Sequence, residues 1–498
     1  MSREADLEYA RKLFEQREYK ECYSLCNRYL EENPEDFQAL TIIANVMMEN
    51  QNNGVAYNIT KRITQLSPKD PGVWMNFGIA CVNLWRMTEA RKAYDRGLSL
   101  ARNDKQRSQF CLNISGLLVD VGRFTDAEVY CKQALELNPE SQKGRANLGF
   151  CQLAQRNFEE GWANYRYALG TKERAQHNYC GEPMWDGKGK GVIAVTCEQG
   201  IGDMISFASM VPDMLEWAEQ NDSKVVIDCE PRLEGILRRS FPGAKVYPTL
   251  TKETVEWDEK PDYSIAMGQL GEYFRTSEDA FPGTPYLVPD PDRVIQWKAL
   301  FESKKKPVIG IAWRGGIPRT GARFRQWDLE QLLPVLKSVD AHWVSLQYKP
   351  SHKEIAEFKK KHPKIDLVEY PHGTLTADYD DTIAMVAAMD HIVTMQTAVN
   401  HVAGGLGVPA WVHVPANSQW RYGEKGEDFV WAKSVRIIRQ ERNGEWKPII
   451  KRTADELADK FSSGASRKRG HRKKRNKASN GLSVRSGSNS QGSHTAAR

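Results

Sequence analysis

The sequence has no run approaching 18 uninterrupted apolar residues, so no membrane-spanning helix is expected. Its first residues, MSREADLEYARKLFEQ, are charged almost at once and lack an apolar core segment, so no secretory signal is expected there. Cysteine forms no CxxC pair. The nine thiols are scattered, and Cys22, Cys26, Cys81, Cys111, Cys131 and Cys151 fall in helical repeats, where Cys serves as a small apolar residue. This argues against a disulfide framework or a zinc site and for a reducing, cytoplasmic setting. Acidic residues are missing altogether from 462–498, which carry ten Lys and Arg. The formal net charge of +6 therefore belongs to this tail, and the rest of the chain is mildly acidic.

What the chain does have is a repeat. Asn33-Pro34, Ser67-Pro68 and Asn138-Pro139 each close a helical hairpin, with Asn103-Asp104 filling the remaining gap. The spacing, near 34 residues, is the tetratricopeptide (TPR) period. In the third repeat Gly78 and Ala90 are small where the two helices of a hairpin meet, and Trp74, Phe77 and Tyr94 fill the space between hairpins. Ser115, Ala127 and Ala134 follow the pattern in the fourth repeat, as do Gly149, Gly161 and Tyr165 in the fifth. About five repeats over 1–170 predict an all-α TPR superhelix, stable only as a stack because no single hairpin buries its apolar face. Asn76, Asn113 and Asn147 share one position in three consecutive repeats, on the helix that lines the concave groove. A ladder of amides there suits the backbone of an extended peptide from a protein partner, or else satisfies nearby backbone.

Residues 171–190 break the helical period and read as a linker. Beyond them the pattern becomes α/β. VIAVT (192–196) and KVVIDC (224–229) read as buried strands, each followed by a helix, the first over about 204–218. A Pro-rich stretch, FPGTPYLVPDPD (281–292), interrupts. A second series follows, with strands at 307–313, 342–347, 391–395 and 409–415 and helices at 328–338, 351–361, 380–389 and 397–405. The fold class expected is thus multidomain: the TPR superhelix, then two Rossmann-like lobes, 191–292 and 293–460, facing a cleft. A disordered basic tail, 461–498, would follow. Its RKRGHRKKRNK segment (467–477) suits non-specific contact with a polyanion, or is a solvated extension.

Several residues fall where ligands of open α/β folds bind. Gly200 and Gly202 leave room for a ligand or a backbone in the loop after the first strand, and Asp203 opens the following helix, as an N-cap or as a functional acid. A dinucleotide site is disfavoured because Ile205 stands where the fingerprint requires a third glycine, although Asp228 and Glu230 follow the second strand. In the second lobe, Thr397, Ala398 and Val399 open a helix whose free N–H groups suit a diphosphate, with His401 one turn on. Arg314, Arg319, Arg323 and Arg325 follow a strand end, as phosphate ligands or as a solvated run. Asp290-Pro-Asp292 and Asp378-Tyr-Asp380 match a metal-binding DxD pattern, but helix-opening acids explain them more simply, and no metal is expected.

In order along the chain, EPMWDGKGKGVIAVTCEQGIGDMISFASMVP, GIAWRGG, RFRQWDLEQLLPVL, WVSLQ, DYDDTIAMVAAMDHIVTMQTAVNHVAGGLGVPAWVHVP and WRYG resemble the bacterial TPR proteins whose C-terminal domain is heptosyltransferase-like, glycosyltransferase family nine. The resemblance spans about Phe158 to Leu457. It implies a GT-B fold and an inverting, metal-independent transfer from a nucleotide-diphosphate sugar to a glycan or protein acceptor, with no separate cofactor. It makes Asp203, in the Gly202-Asp203 motif, the general base and places Arg325, Gln396, Thr397 and His401 at the donor; Gly200, Arg314 and Ala398 are donor candidates by their place at strand ends and at a helix start. Gln396 departs from the family's Asp, keeping hydrogen-bonding capacity without the charge. That departure leaves open a TPR scaffold whose transferase domain is inactive.

Overall fold

The computed structural model describes residues 3–479 except 172–173, 251, 253–254 and 317–320, with side chains described over 5–462. Helices α1 (Arg3–Glu15), α2 (Tyr19–Glu32), α3 (Phe37–Glu49), α4 (Asn53–Leu66), α5 (Pro71–Asn83), α6 (Met87–Leu100), α7 (Asp104–Asp120), α8 (Phe124–Leu137), α9 (Gln142–Ala154) and α10 (Phe158–Tyr165) make five successive hairpins. Asp36, Asp70, Asn103 and Ser141 each cap the first helix of a hairpin by accepting backbone N–H groups. The turn inside each hairpin has one left-handed residue, Arg17, Gln51, Trp85, Gly122 or Arg156. Each turn is closed by a bond from the next residue back to the helix, such as Asn52 N–H to Met47 O at 2.8 Å and Asn157 N–H to Gln152 O at 2.9 Å. The small residues do what the repeat requires. A Cβ on Gly149 would lie 2.5 Å from the Tyr165 backbone nitrogen, so α9 and α10 touch backbone to backbone.

Two parallel sheets follow. The first, in the order β3-β2-β1-β4, comprises β1 (Val192–Thr196), β2 (Lys224–Asp228), β3 (Ala244–Tyr247) and β4 (Tyr263–Ala266). Its helices are α11 (Ile201–Phe207), α12 (Val211–Gln220), α13 (Glu234–Ser240) and α14 (Gly271–Phe274), and α15 (Pro291–Glu302) leads onward. The second sheet has the order β10-β9-β8-β5-β6-β7. Its elements are β5 (Val308–Ala312), α16 (Leu333–Ser338), β6 (His342–Ser345), α17 (His352–Lys361), β7 (Leu367–Glu369), α18 (Pro371–Thr374), α19 (Tyr379–Ala387), β8 (His391–Met395), α20 (Ala398–Leu406), β9 (Ala410–Val414), β10 (Val435–Arg439) and α21 (Trp446–Ser479).

Four details differ from the sequence expectations. The single helix expected over 204–218 is two, separated by a 3-10 turn at Ala208–Met210, because Pro212 cannot donate into a continuing helix. The helix expected from 328 begins only at Leu333, with Pro334 in its first turn. The segment 171–190 is no free spacer: Trp185 is buried against Trp217 and Tyr273, and Met184 pairs with Ser264 beside β4. The backbone of α21 stays helical to Ser479, into the segment where composition suggests irregular chain.

The array and the α/β region interlock. Trp162 packs edge-on against Trp420 and Trp431 and donates to Arg275 O at 3.0 Å. Arg174 and Glu198, both side chains 0% exposed, pair at 2.6 Å, and Arg174 also donates to Tyr165 O and Gln269 Oε1. The turn edge of the array faces the α/β loops. Trp85 meets Phe324 and Arg323, and Arg156 pairs with Glu278 and Asp428. A Cβ on Gly122 would strike Ala416 O at 2.5 Å, which explains why this turn alone among the five uses glycine. One hydrophobic core runs from Tyr57 through the later repeats and the first sheet to α20, while a second lies between the second sheet and α16, α17 and α21.

Candidate active site at the carboxyl ends of β1, β5 and β8

In both sheets the strand order reverses at a defined place. β1 lies between β2 and β4, and β5 lies between β8 and β6, with all pairings parallel. Such switch points open a crevice at the carboxyl ends, because the connections from adjacent strands depart to opposite faces. The segment leaving β1 carries Asp203 in the first turn of α11, and the loops leaving β5 and β8 carry Arg325 and Gln396.

The two sides meet through α11 and α20. A Cβ on Gly202 would lie 3.2 Å from both Ala398 Cα and His401 Cδ2, so this glycine serves close helix approach. Gly200 is the N-cap of α11, and its N–H donates to Asp203 Oδ2 at 3.0 Å. The other carboxylate oxygen, Oδ1, pairs with Arg421 Nη2 at 2.7 Å. Asp203, the third residue of α11, thus ties back to the cap through one oxygen and to Arg421 through the other, with its side chain 27% exposed. The N-cap expected at Asp203 is instead Gly200, because the helix already begins at Ile201.

Arg421 is the residue that sequence reasoning missed. Its side chain is 4% exposed, lies against both the Phe207 and Trp420 rings, each centroid 4.7 Å away, and donates to Gln199 Oε1 at 2.9 Å. The signal was present in WRYG: an arginine flanked by aromatics, which can lie stacked and desolvated.

On the second sheet, Gly315 sits against Gln396 O and the Thr397 methyl, and Gly315 N–H donates to Arg325 O at 2.9 Å. This short antiparallel ribbon turns Arg325 inward, to 5% exposure. Burial lowers its pKa, while Tyr422, Asp203 and Tyr348 facing it act in the opposite sense. Burial also pushes the His401 imidazole down to about 3, with Arg421 adding to the effect, so the ring is neutral. Tyr422 donates to Asn400 Oδ1 at 3.0 Å and lies 3.3 Å from His401 Nε2. Four side chains here have buried polar atoms without a partner: Gln396 Oε1 and Nε2, Asn400 Nδ2, His401 Nδ1 and Arg421 Nε.

Other expected residues are placed differently. The N–H groups at the start of α20 are not all free: Thr397 N–H donates to Asn400 Oδ1 and Val399 N–H to Thr397 Oγ1, a capping box. The Thr397 hydroxyl is occupied within the chain, also meeting Thr394 Oγ1 at 3.2 Å. Arg314 is paired with Glu354 of α17 at 2.6 Å, so its charge is already matched. Arg323 stacks on Trp85 toward the array, and Arg319 lies outside the described residues. Asp228, the possible ribose ligand of the dinucleotide alternative, is fully buried and accepts from Tyr179 and Thr249, while Glu230 pairs with Arg232. Asp290 caps α15 and Asp378 caps α19, which accounts for both DxD segments.

In the array, Asn147 donates to Ser115 Oγ at 3.2 Å and Asn113 donates to the Met75 sulfur, each tying its helix to the preceding repeat. Only Asn76 lines the concave cavity of about 340 Å³ formed by α1, α3 and α5, together with Arg11, Phe14, Phe37 and Asn45.

The tetratricopeptide repeat profile matches residues 108–141, and the N-terminal array is a TPR array. Over most of its length the chain is similar to protein FlbA of Caulobacter vibrioides, 29% identical over 449 residues, covering 86% of this chain and 73% of that one. It is 24% identical over 162 residues to protein O-mannosyl-transferase TMTC1 of Mus musculus, covering 32% of this chain and 17% of that protein. Among solved structures, a thermophilic TPR protein of Thermus thermophilus aligns with 22% identity and a TM-score of 0.30, covering 34% of this chain and 90% of that one. No helix among the described residues is long and apolar enough to cross a membrane.

Proposed function

We propose that the α/β region is a GT-B, heptosyltransferase-like glycosyltransferase that moves a sugar from a nucleotide-diphosphate donor to an acceptor hydroxyl, with inversion and without a metal. The observation that carries this reading is the meeting of Asp203 from the first sheet with Arg325 and His401 from the second, at two strand-order switch points. In this reading Asp203 takes the acceptor proton as the hydroxyl attacks the anomeric carbon. Arg325 stabilises the charge that develops on the departing diphosphate, a contribution typically about 3 kcal/mol. The orphaned amide of Gln396 and the orphaned nitrogen of His401 offer a donor sugar or nucleotide both donating and accepting groups. The TPR groove recruits the acceptor or a protein partner, and the nine free thiols suit a cytoplasmic setting. The similarity to an O-mannosyl-transferase spans 17% of that protein, and the reading does not rest on it.

Asp203→Ala is expected to abolish transfer, at least a thousandfold in kcat, while leaving nucleotide-diphosphate binding in place. Normal turnover of that variant would remove the base assignment. A second reading, a TPR scaffold with an inactive transferase domain, is favoured by the neutral Gln396 and by the capped amides of α20. Thermal-shift measurements with UDP, GDP, CDP and ADP decide between them, since the scaffold reading requires no response to any of the four.

A further inference from the structure

Arg421 is an unusual partner for a candidate base. It is buried to 4% exposure, yet its Nε has no hydrogen-bond partner and its Nη2 divides itself between Asp203 Oδ1 and Gln199 Oε1. A guanidinium carries five donors in a rigid fork, and one held desolvated against aromatic rings pays for every donor left unmatched. The unmatched donors do not stand alone. Asn400 Nδ2, His401 Nδ1 and both amide atoms of Gln396 are buried without partners on the facing end of α20, whose His401 packs against Gly202. Arg325, also buried, faces the same carboxylate. Two buried guanidiniums therefore face the Asp203 carboxylate, a setting that suits an anion with several oxygens.

Resting on the transferase reading, we propose that Arg421 is a ligand of the donor's diphosphate and, without donor, a latch on Asp203. Diphosphate oxygens accept from the guanidinium fork, the Asp203 pair opens, and Oδ1 becomes available to accept the acceptor proton. The step exchanges one ion pair for another and makes no covalent bond. It also orders the reaction: donor enters first, because until then the carboxylate is held by Arg421. The flanking rings of Phe207 and Trp420 keep the guanidinium plane fixed during the exchange.

The test uses the full chain, with inorganic pyrophosphate and the four nucleoside diphosphates as probes in titration calorimetry. Arg421→Lys, which keeps the charge and loses the fork, is expected to weaken diphosphate binding at least tenfold. Asp203→Asn, which releases the latch, is expected to strengthen it threefold or more, and this gain should vanish in the double variant Asp203→Asn/Arg421→Lys. A purely structural Arg421 predicts neither the gain nor its loss. Should Arg421→Lys fail to fold, as judged by near-ultraviolet circular dichroism, the response of Asp203→Asn decides: unchanged or weaker binding overturns the latch. If the unaltered chain binds a diphosphate and Arg421→Lys binds it equally well, the Arg421 assignment alone falls. If the unaltered chain binds none of the five probes, the transferase reading falls with it.

Discussion

The helical array and the α/β region are built by different physics, although they share a core. In the array, each contact that matters is repeated 34 residues or so later, between neighbours in sequence: a small residue under an aromatic, a cap, a left-handed turn residue. In the α/β region the decisive contacts join segments far apart, such as Arg174 with Glu198 and Gln269, or Asp203 with Arg421. The comparison teaches that the array carries local, nearly additive stability, while the site depends on a few buried polar links that fail together.

The largest expected effect is at the junction. Arg174→Met would leave Glu198 buried without its cation, at a cost of about 3–5 kcal/mol. Chemical denaturation followed by circular dichroism should then show two transitions in place of one. A single, unshifted transition would show that the regions fold independently of this pair. Next, Gly149→Ala forces α9 and α10 apart against backbone, costing about 1–3 kcal/mol, and should do so without altering diphosphate binding. An equal loss of binding would show that the fifth repeat belongs energetically to the site.

A pH series sharpens the contrast further. All ten histidines lie beyond the array. His391, His401 and His413 are held near 3 by burial, against an ordinary value near 6.5. Because their folded values are depressed, the stability they contribute is present above about pH 6.5 and is lost as the pH falls toward 3. Each adds a slope of up to about 1.4 kcal/mol per pH unit in that window. Urea melts of Arg174→Met, in which the two transitions separate, should show the α/β transition weakening more steeply than the array transition between pH 7.5 and 4.5, and adding His413→Gln should flatten the slope. The smallest effect concerns the amide ladder. A double-mutant cycle of Asn147→Ala with Ser115→Ala should give a coupling of about 0.5–1 kcal/mol, consistent with a structural hydrogen bond. Absence of coupling would return Asn147 to the pool of free groove donors.

Much of this was legible before any coordinates. The repeat array, the strands at 192–196 and 391–395 and the residues Asp203 and His401 stand out from local pattern, because period and strand–loop–helix order are written in consecutive residues. What escaped notice was short or remote. β3 (AKVY), β7 (LVE) and β10 (VRIIR) are short and interrupted by charged residues, so they lack the apolar run that marks β1 and β8, and each becomes a strand by pairing with a neighbour. Arg421 lies 218 positions from the carboxylate it holds, so no sequence window contains both.

The sequence by itself determined the helical stack, the parallel α/β character of the rest and the loops that end at strand carboxyl edges, since these follow from short-range periodicity and burial. Only the tertiary structure decided that α20 caps its own first amides, that Arg314 is neutralised by Glu354 and that Arg421 closes on Asp203. Those outcomes depend on which side chains arrive together in space, where desolvation and pairing of charge, rather than local propensity, set the energy.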